Sequence, residues 1–323
     1  MANPPYSEAK LHPVYAAMLD ARPKEDLDPS TPIPVMREYM TNLMAESMRL
    51  ANVPKVHRED LSIDSHGRSI KIIISRPPGS EHTVLPVLLF LHGGGFSMGN
   101  IDTHVKFVND LSVKGNIAVV FVEYSLAPEH PFPAGLEDCY VAFDWILEHG
   151  KEHHLDASRV VIGGDSAGGT FTAALSMKLK DAGRENLSKG QILIYPCMNF
   201  ATQRFPSHDL FGGKEFVLSE SLAQLFTNLY FPDGPVQNKL AIPLLATPDD
   251  LRGLPPALLI TAEMDFLRDE GEAYGRLLAS SGTEVQAVRV IGTPHGFLTT
   301  PFEPLPYTST LDTILSFLKN RFE

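Results

Sequence analysis

The sequence predicts an α/β protein, with a mostly parallel central sheet, helices on both of its faces and an inserted lid. Three observations carry this. From Leu85 onward, short runs rich in Val, Ile and Leu alternate with stretches of helical period, and parallel strands buried on both faces read as such continuous apolar runs. Between Pro196 and about Thr247 the alternation breaks and aromatic residues crowd the interval. Ahead of Val56 stands a separate helical stretch.

That first stretch is Pro-rich and then carries Met36, Tyr39, Met40, Leu43, Met44 and Met48 at helical spacing, a face suited to core packing that could also close over a pocket. Glu59–Asp64 and Ser69–Arg76 read as paired strands joined through His66-Gly67, with Pro77-Pro78-Gly79-Ser80 ending the second. Then come a strand at Leu85–Leu91, a helix at Asp102–Lys114, a strand at Ile117–Tyr124 and a helix at Gly135–His149, whose Leu136, Tyr140, Phe143 and Ile146 share one side. Val160–Gly164 is the next strand, Gly168–Ala182 the next helix, and Gln191–Tyr195 a further strand. The aromatic interval holds one predicted helix, Glu220–Tyr230, and a turn at Pro232-Asp233-Gly234-Pro235. An aromatic insertion in an otherwise regular fold is a candidate lid. Order resumes with strand Pro256–Ala262, helix Glu270–Ser281, strand Glu284–Ile291 and helix Leu311–Phe322.

Composition narrows the function classes. With 43% hydrophobic and 20% charged residues the chain is ordinary for a soluble globular protein. A net charge of -12 and the lack of a basic stripe argue against nucleic acid, since neutralising phosphates needs clustered Lys and Arg. The two cysteines, Cys139 and Cys197, have no metal-like or redox-like spacing and read as buried thiols in a reducing compartment. The start, Met1-Ala2-Asn3-Pro4-Pro5-Tyr6, does not resemble a secretory leader. The longest apolar stretch, Val84 to Leu91, is far too short to span a bilayer. A cytoplasmic location is therefore expected.

The chemistry starts at Gly164-Asp165-Ser166-Ala167-Gly168, a Gly-x-Ser-x-Gly at a strand-to-helix junction. The bare pattern is weak, but a nucleophile elbow needs small residues on both sides of a strained serine, and Gly164 and Gly168 supply them. Ser166 would then stand at a helix N-terminus, where free N–H groups and the helix dipole favour developing negative charge. Serine needs an oriented base to act as a nucleophile. In this arrangement the chain order is Ser, then Asp or Glu, then His. Asp265 follows the strand Pro256–Ala262 at its carboxyl end, while Asp269 and Glu270 read as first-turn helix acids, so Asp265 is the preferred acid. Of the twelve histidines only His295 comes after it, directly behind the last strand. The run His92-Gly93-Gly94-Gly95-Phe96 follows the strand Leu85–Leu91, and such a loop lets backbone N–H groups reach an anionic oxygen. A dinucleotide reading fails, as no Gly-x-Gly-x-x-Gly enters a helix there. The assigned donors are the N–H groups of Gly94, Gly95 and Ala167, with His92 bracing the loop.

These segments, with Asp265-Phe266-Leu267-Arg268-Asp269-Glu270-Gly271, His295-Gly296-Phe297 and Tyr124-Ser125-Leu126-Ala127-Pro128-Glu129, resemble the hormone-sensitive lipase family, which includes carboxylesterases and arylacetamide deacetylases. The likeness runs from about Val56 to the C-terminus. It implies an α/β-hydrolase fold with a helical cap, a Ser166–His295–Asp265 triad, no metal or organic cofactor, and a small-molecule ester as partner. It implies residues 1–55 as the N-terminal part of the cap, 56–198 as the first part of the core, 199–246 as the cap insertion and 247–323 as the second part of the core. A lactonase, an amide-cleaving deacetylase and a non-catalytic small-molecule receptor share this scaffold, and a homodimer stays open. Two departures stand out. Ser125 replaces the family's usual Arg, so a charged contact there is lost or replaced, and Glu263 replaces a common Gly before the acid. His149, His153 and His154 read as solvated residues at a helix end, with no acid or Cys spaced to complete a metal shell.

Overall fold

The computed structural model describes residues 9–21, 31–49, 51–200 and 203–323, apart from the side chains of 44 and 45. The expectations for the N-terminal six residues and for the Met44 side chain lie outside the described residues. In chain order the elements are α1 (Pro13–Asp20), α2 (Ile33–Met48), β1 (His57–Ser65), β2 (Arg68–Arg76), β3 (Leu85–Leu91), α3 (Ile101–Gly115), β4 (Ala118–Glu123) and α4 (Ala134–His149). They continue with β5 (Leu155–Asp165), α5 (Ala167–Asp181), β6 (Gln191–Ile194), α6 (Pro206–Phe211), α7 (Glu220–Tyr230) and α8 (Pro248–Leu251). The chain closes with β7 (Ala257–Met264), α9 (Arg268–Ser280), β8 (Val285–Pro294) and α10 (Leu305–Phe322).

The eight strands form one sheet in the order β1-β2-β4-β3-β5-β6-β7-β8. Two residues, His66 and Gly67, join β1 to β2, and so tight a turn requires an antiparallel pair. β2 also runs antiparallel to β4, and every neighbour from β4 to β8 is parallel. Alternate residues of the buried strands supply two separate cores. Leu89, Val120 and Ile162 pack with Leu136 and Phe143 of α4 and Phe171 of α5. Leu88, Phe90, Phe121 and Val161 point the other way, onto Phe107 and Leu111 of α3 and Ile314 and Leu318 of α10.

The insertion is richer than its single expected helix, because α6, at six residues, is too short for periodicity to reveal; the four-residue α8 just beyond it is hidden for the same reason. α10 begins at Leu305 instead of Leu311, since Pro306 sits in its first turn, where a missing N–H costs nothing. In the first fifty-five residues the two helices part company. α1 buries Tyr15 in the core on the α3 and α10 face of the sheet. α2 packs Ile33 and Met36 with Leu218 and Phe226 of the insertion and with Phe266 and Leu267 behind β7. Tyr39 of α2 lies 38% exposed and so does not belong to that apolar face. No helix among the described residues is long and apolar enough to cross a membrane.

Candidate active site

β5 ends at Asp165 and α5 starts at Ala167, so Ser166 alone makes the turn, at φ 53° and ψ -118°. Left-handed φ strains an L-residue, and the turn has no room for larger neighbours. A Cβ on Gly168 would stand 1.8 Å from the Leu91 carbonyl oxygen, and one on Gly164 2.4 Å from the same atom. The Ser166 N–H donates to the Ile194 carbonyl at 2.8 Å, tying the elbow to β6.

His295, one residue past β8, brings three distant segments together. Its Nε2 lies 3.0 Å from Ser166 Oγ, and its Nδ1–H donates to Asp265 Oδ2 at 2.8 Å. The other oxygen of Asp265 accepts the Leu267 N–H at 2.9 Å, which sets the rotation of the carboxylate. Burial alone would disfavour the imidazolium, but the charge and hydrogen bond of Asp265 outweigh it, so His295 titrates above the ordinary histidine range. The neighbouring acids are engaged elsewhere. Asp269 accepts from the Ser207 N–H and from Arg268 Nε. Glu270 accepts the Met198 N–H at 2.6 Å and faces His208 Nε2 at 3.2 Å.

The glycine loop after β3 closes over the elbow. Gly94 and Gly95 adopt φ of 126° and 60°, and a Cβ on Gly94 would meet the Met98 carbonyl oxygen at 2.1 Å. The Gly93 N–H donates to Asp165 Oδ1 at 2.8 Å, fastening the loop to the residue before Ser166. His92 is buried, stacks on Tyr124 with ring centroids 4.2 Å apart, and donates from Nδ1 to its neighbour's carbonyl. Burial, with the adjacent His104, pushes His92 down to about 3, so it stays neutral as a brace. Among the described residues no backbone acceptor takes the N–H of Gly94, Gly95 or Ala167.

Several contributors carry no local sequence signal. His104 Nε2 of α3 approaches Asp165 Oδ1 at 3.1 Å, on the oxygen that Gly93 uses. Arg37 of α2 donates from Nε to the Ser97 carbonyl at 2.6 Å, from Nη2 to the Ala127 carbonyl at 2.8 Å, and from Nη1 and Nη2 to the two oxygens of Glu129 at 2.7 Å each. It ties α2 to the far end of the glycine loop. At position 125 the neighbouring charge comes from another strand: Arg68 of β2 donates to Ser125 Oγ at 3.3 Å and to Asp138 at 2.7 Å, and Asp138 also accepts the Ser125 N–H. Cys139 is buried as expected, whereas Cys197, also read from sequence as a buried thiol, is only partly buried because it forms part of the pocket wall. His153 pairs with Glu59 at 2.9 Å and lies against Trp145, while His149 is half exposed.

Ser166 and His295 open onto a cavity of about 340 Å³. Its walls include Met40 of α2, Leu222 and Phe226 of α7, and Met98, Phe200 and Leu218. A serine hydroxyl hydrogen-bonded to an oriented imidazole, with backbone N–H groups of a glycine loop nearby and an apolar chamber beside them, is an arrangement that acyl transfer would use.

Residues 88–299 match the family described as alpha/beta hydrolase fold. Esterase LipI of Mycobacterium tuberculosis is 33% identical over 289 residues, which span 89% of this chain and 88% of LipI. Carboxylesterase NlhH of the same organism is 32% identical over 301 residues, 92% of each chain. A solved fungal esterase from Rhizomucor miehei shares 42% identity at a TM-score of 0.87, covering 99% of this chain and 98% of that one. The hyperthermophilic esterase from the archaeon Pyrobaculum calidifontis shares 34% identity at a TM-score of 0.89, covering 96% and 98%. The chain belongs to the alpha/beta hydrolase family and, within it, is a serine hydrolase of the hormone-sensitive lipase-like, family IV esterase type.

Proposed function

We propose that this chain hydrolyses carboxylic esters with short-to-medium acyl or aryl groups through an acyl-enzyme on Ser166. The observation that carries the reading is the hydrogen-bonded run from Ser166 through His295 to Asp265, opening onto an apolar chamber. In the first step Ser166 Oγ attacks the ester carbonyl as its proton passes to His295 Nε2. Asp265 keeps the imidazole proton on Nδ1 and stabilises the imidazolium. The N–H groups of Gly94, Gly95 and Ala167 receive the tetrahedral oxyanion, each worth about 2.7–4 kcal/mol in comparable sites. The alcohol leaves with the proton from His295, and water repeats the sequence to free the acid and restore Ser166.

α2 with the 199–246 insertion acts as a cap over this chamber and limits the acyl length it admits. The test is twofold. A fluorophosphonate probe should label the wild type and not Ser166→Ala, and an unlabelled wild type refutes the enzyme reading in favour of a receptor. Turnover of p-nitrophenyl esters should peak at about C4 to C8, as a capped pocket of this kind encloses a small group. A rate that climbs steadily to long chains overturns the cap's role, and faster turnover of matched lactones or anilides reassigns the substrate class.

A further inference from the structure

β7 and β8 pair in parallel register as far as Ala262 and Val290, and the ladder resumes only at Met264 and Pro294. Glu263 therefore stands opposite three residues of β8, namely Ile291, Gly292 and Thr293. A bulge bends its strand and re-aims the residues after it, which here are Pro294 and His295. The bulge takes Gly292 out of the ladder, and both of its backbone groups are held from outside it. Its N–H donates to Glu263 Oε2 at 2.8 Å. Its carbonyl accepts from the His12 N–H, also at 2.8 Å, where the segment before α1 crosses the strand. Glycine is required at this crossing: φ is +72°, and a Cβ would stand 3.2 Å from the His12 nitrogen and 3.3 Å from the Lys10 carbonyl oxygen. Glu263 is itself anchored, because its carbonyl accepts from the buried Arg268 guanidinium at 3.0 Å.

We propose that Glu263 is a positioning residue for His295, its carboxylate clamping the Gly292 bulge so that the imidazole sits between Asp265 and Ser166. Glu263 and Asp265 leave the same strand end two residues apart. One end of β7 thus sets both the acid that orients the imidazole and the backbone that delivers it. A glycine at 263, common in the resembling family, has no carboxylate with which to make this tie. The inference rests on the proposed function, since only there does the position of His295 govern a rate.

The test compares hydrolysis of p-nitrophenyl butyrate by the full chain as wild type, Glu263→Ala, Glu263→Gly and Glu263→Gln, with hydrogen exchange read on peptides covering 291–299. Glu263→Ala and Glu263→Gly should lower kcat by about 10- to 100-fold, since a misplacement of about 1 Å can cost 10²-fold. KM should stay within about twofold, as substrate binding is not touched. Glu263→Gln should stay within about threefold of wild type, because its amide oxygen accepts the same N–H. Exchange at Gly292 should rise in the Ala and Gly variants and not in Gln. Wild-type kcat in Glu263→Ala, or a loss in Glu263→Gln equal to that in Glu263→Gly, overturns the clamp; the Gln-against-Gly comparison decides it if the Ala variant fails to fold. A wild type that neither turns over the ester nor reacts with the fluorophosphonate removes the ester-hydrolase reading itself, which is a separate failure.

Discussion

Replacing Gly95 by alanine measures how closely α7 presses on the glycine loop proposed to hold the oxyanion. A Cβ at Gly95 would lie 2.3 Å from two ring carbons of Phe226 and 2.7 Å from a third. Carbon atoms pack best at about 3.5–4.0 Å, so loop or ring must yield by about 1 Å. The ring shares a buried cluster with Met36, Leu218, Phe266 and Leu267 and also lines the cavity, and the prediction is that the glycine loop takes up the displacement. Moving its N–H donors by about 1 Å should lower kcat about 10²-fold, or about 2.7 kcal/mol at 1.36 kcal/mol per tenfold. The φ of +60° at this position adds a stability cost of about 1–2 kcal/mol for any L-residue. In a Phe226→Ala background the obstacle is gone and only that backbone cost remains. There, adding Gly95→Ala should lower kcat less than about tenfold, and the difference is the coupling of a double-mutant cycle. The assay is p-nitrophenyl butyrate turnover normalised to fluorophosphonate-titrated sites. An equal loss in both backgrounds would refute the reasoning, because the damage would then owe nothing to Phe226.

Three further outcomes rest on the same geometry. Asp265→Asn should cut kcat about 10⁴-fold with little change in Tm: the Leu267 N–H holds the amide oxygen at Oδ1, the NH₂ then faces His295 Nδ1, and the imidazole is forced into the tautomer that cannot accept the Ser166 proton. Activity near wild type would exclude Asp265 as the orienting acid. The acid limb of kcat/KM should have its midpoint above the ordinary histidine value of about 6.5, because Asp265 raises His295 against the opposing effect of burial. By linkage, the stability that imidazolium adds is fully present below the unfolded value and is lost as pH rises through the folded one. Thermal melts of wild type and His295→Gln across that range check the sign, and a limb below the ordinary value contradicts it. Gly168→Ala should abolish soluble expression or leave a chain without probe labelling, since its Cβ would overlap the Leu91 carbonyl oxygen at 1.8 Å; normal labelling would show that β3 and α5 can separate at little cost.

Much of the frame around Ser166 is legible in the sequence because its signals are local. β3 and α7 fall where apolar runs and helical period put them, and the order of Ser166, Asp265 and His295 is a matter of reading along the chain. Other parts are not legible for equally physical reasons. α6 spans six residues and α1 eight, too few to display a period clearly. Tyr39 has the spacing of a core residue yet stays exposed, since periodicity gives a stripe without saying how wide a partner covers it.

The sequence by itself determines the chemical cast: a serine between glycines, one histidine behind the last acid, and a glycine run after the first buried strand. These rest on residue type and on backbone room, both written into short segments. Only the tertiary structure decides who supports them. Arg68 donates to Ser125, His104 reaches Asp165, Arg37 holds the far end of the glycine loop, and Glu263 meets Gly292. Each contact joins residues whose nearness comes from strand order and helix placement. Hydrogen bonding is directional and short-ranged, so such pairs exist only once the sheet has brought them together.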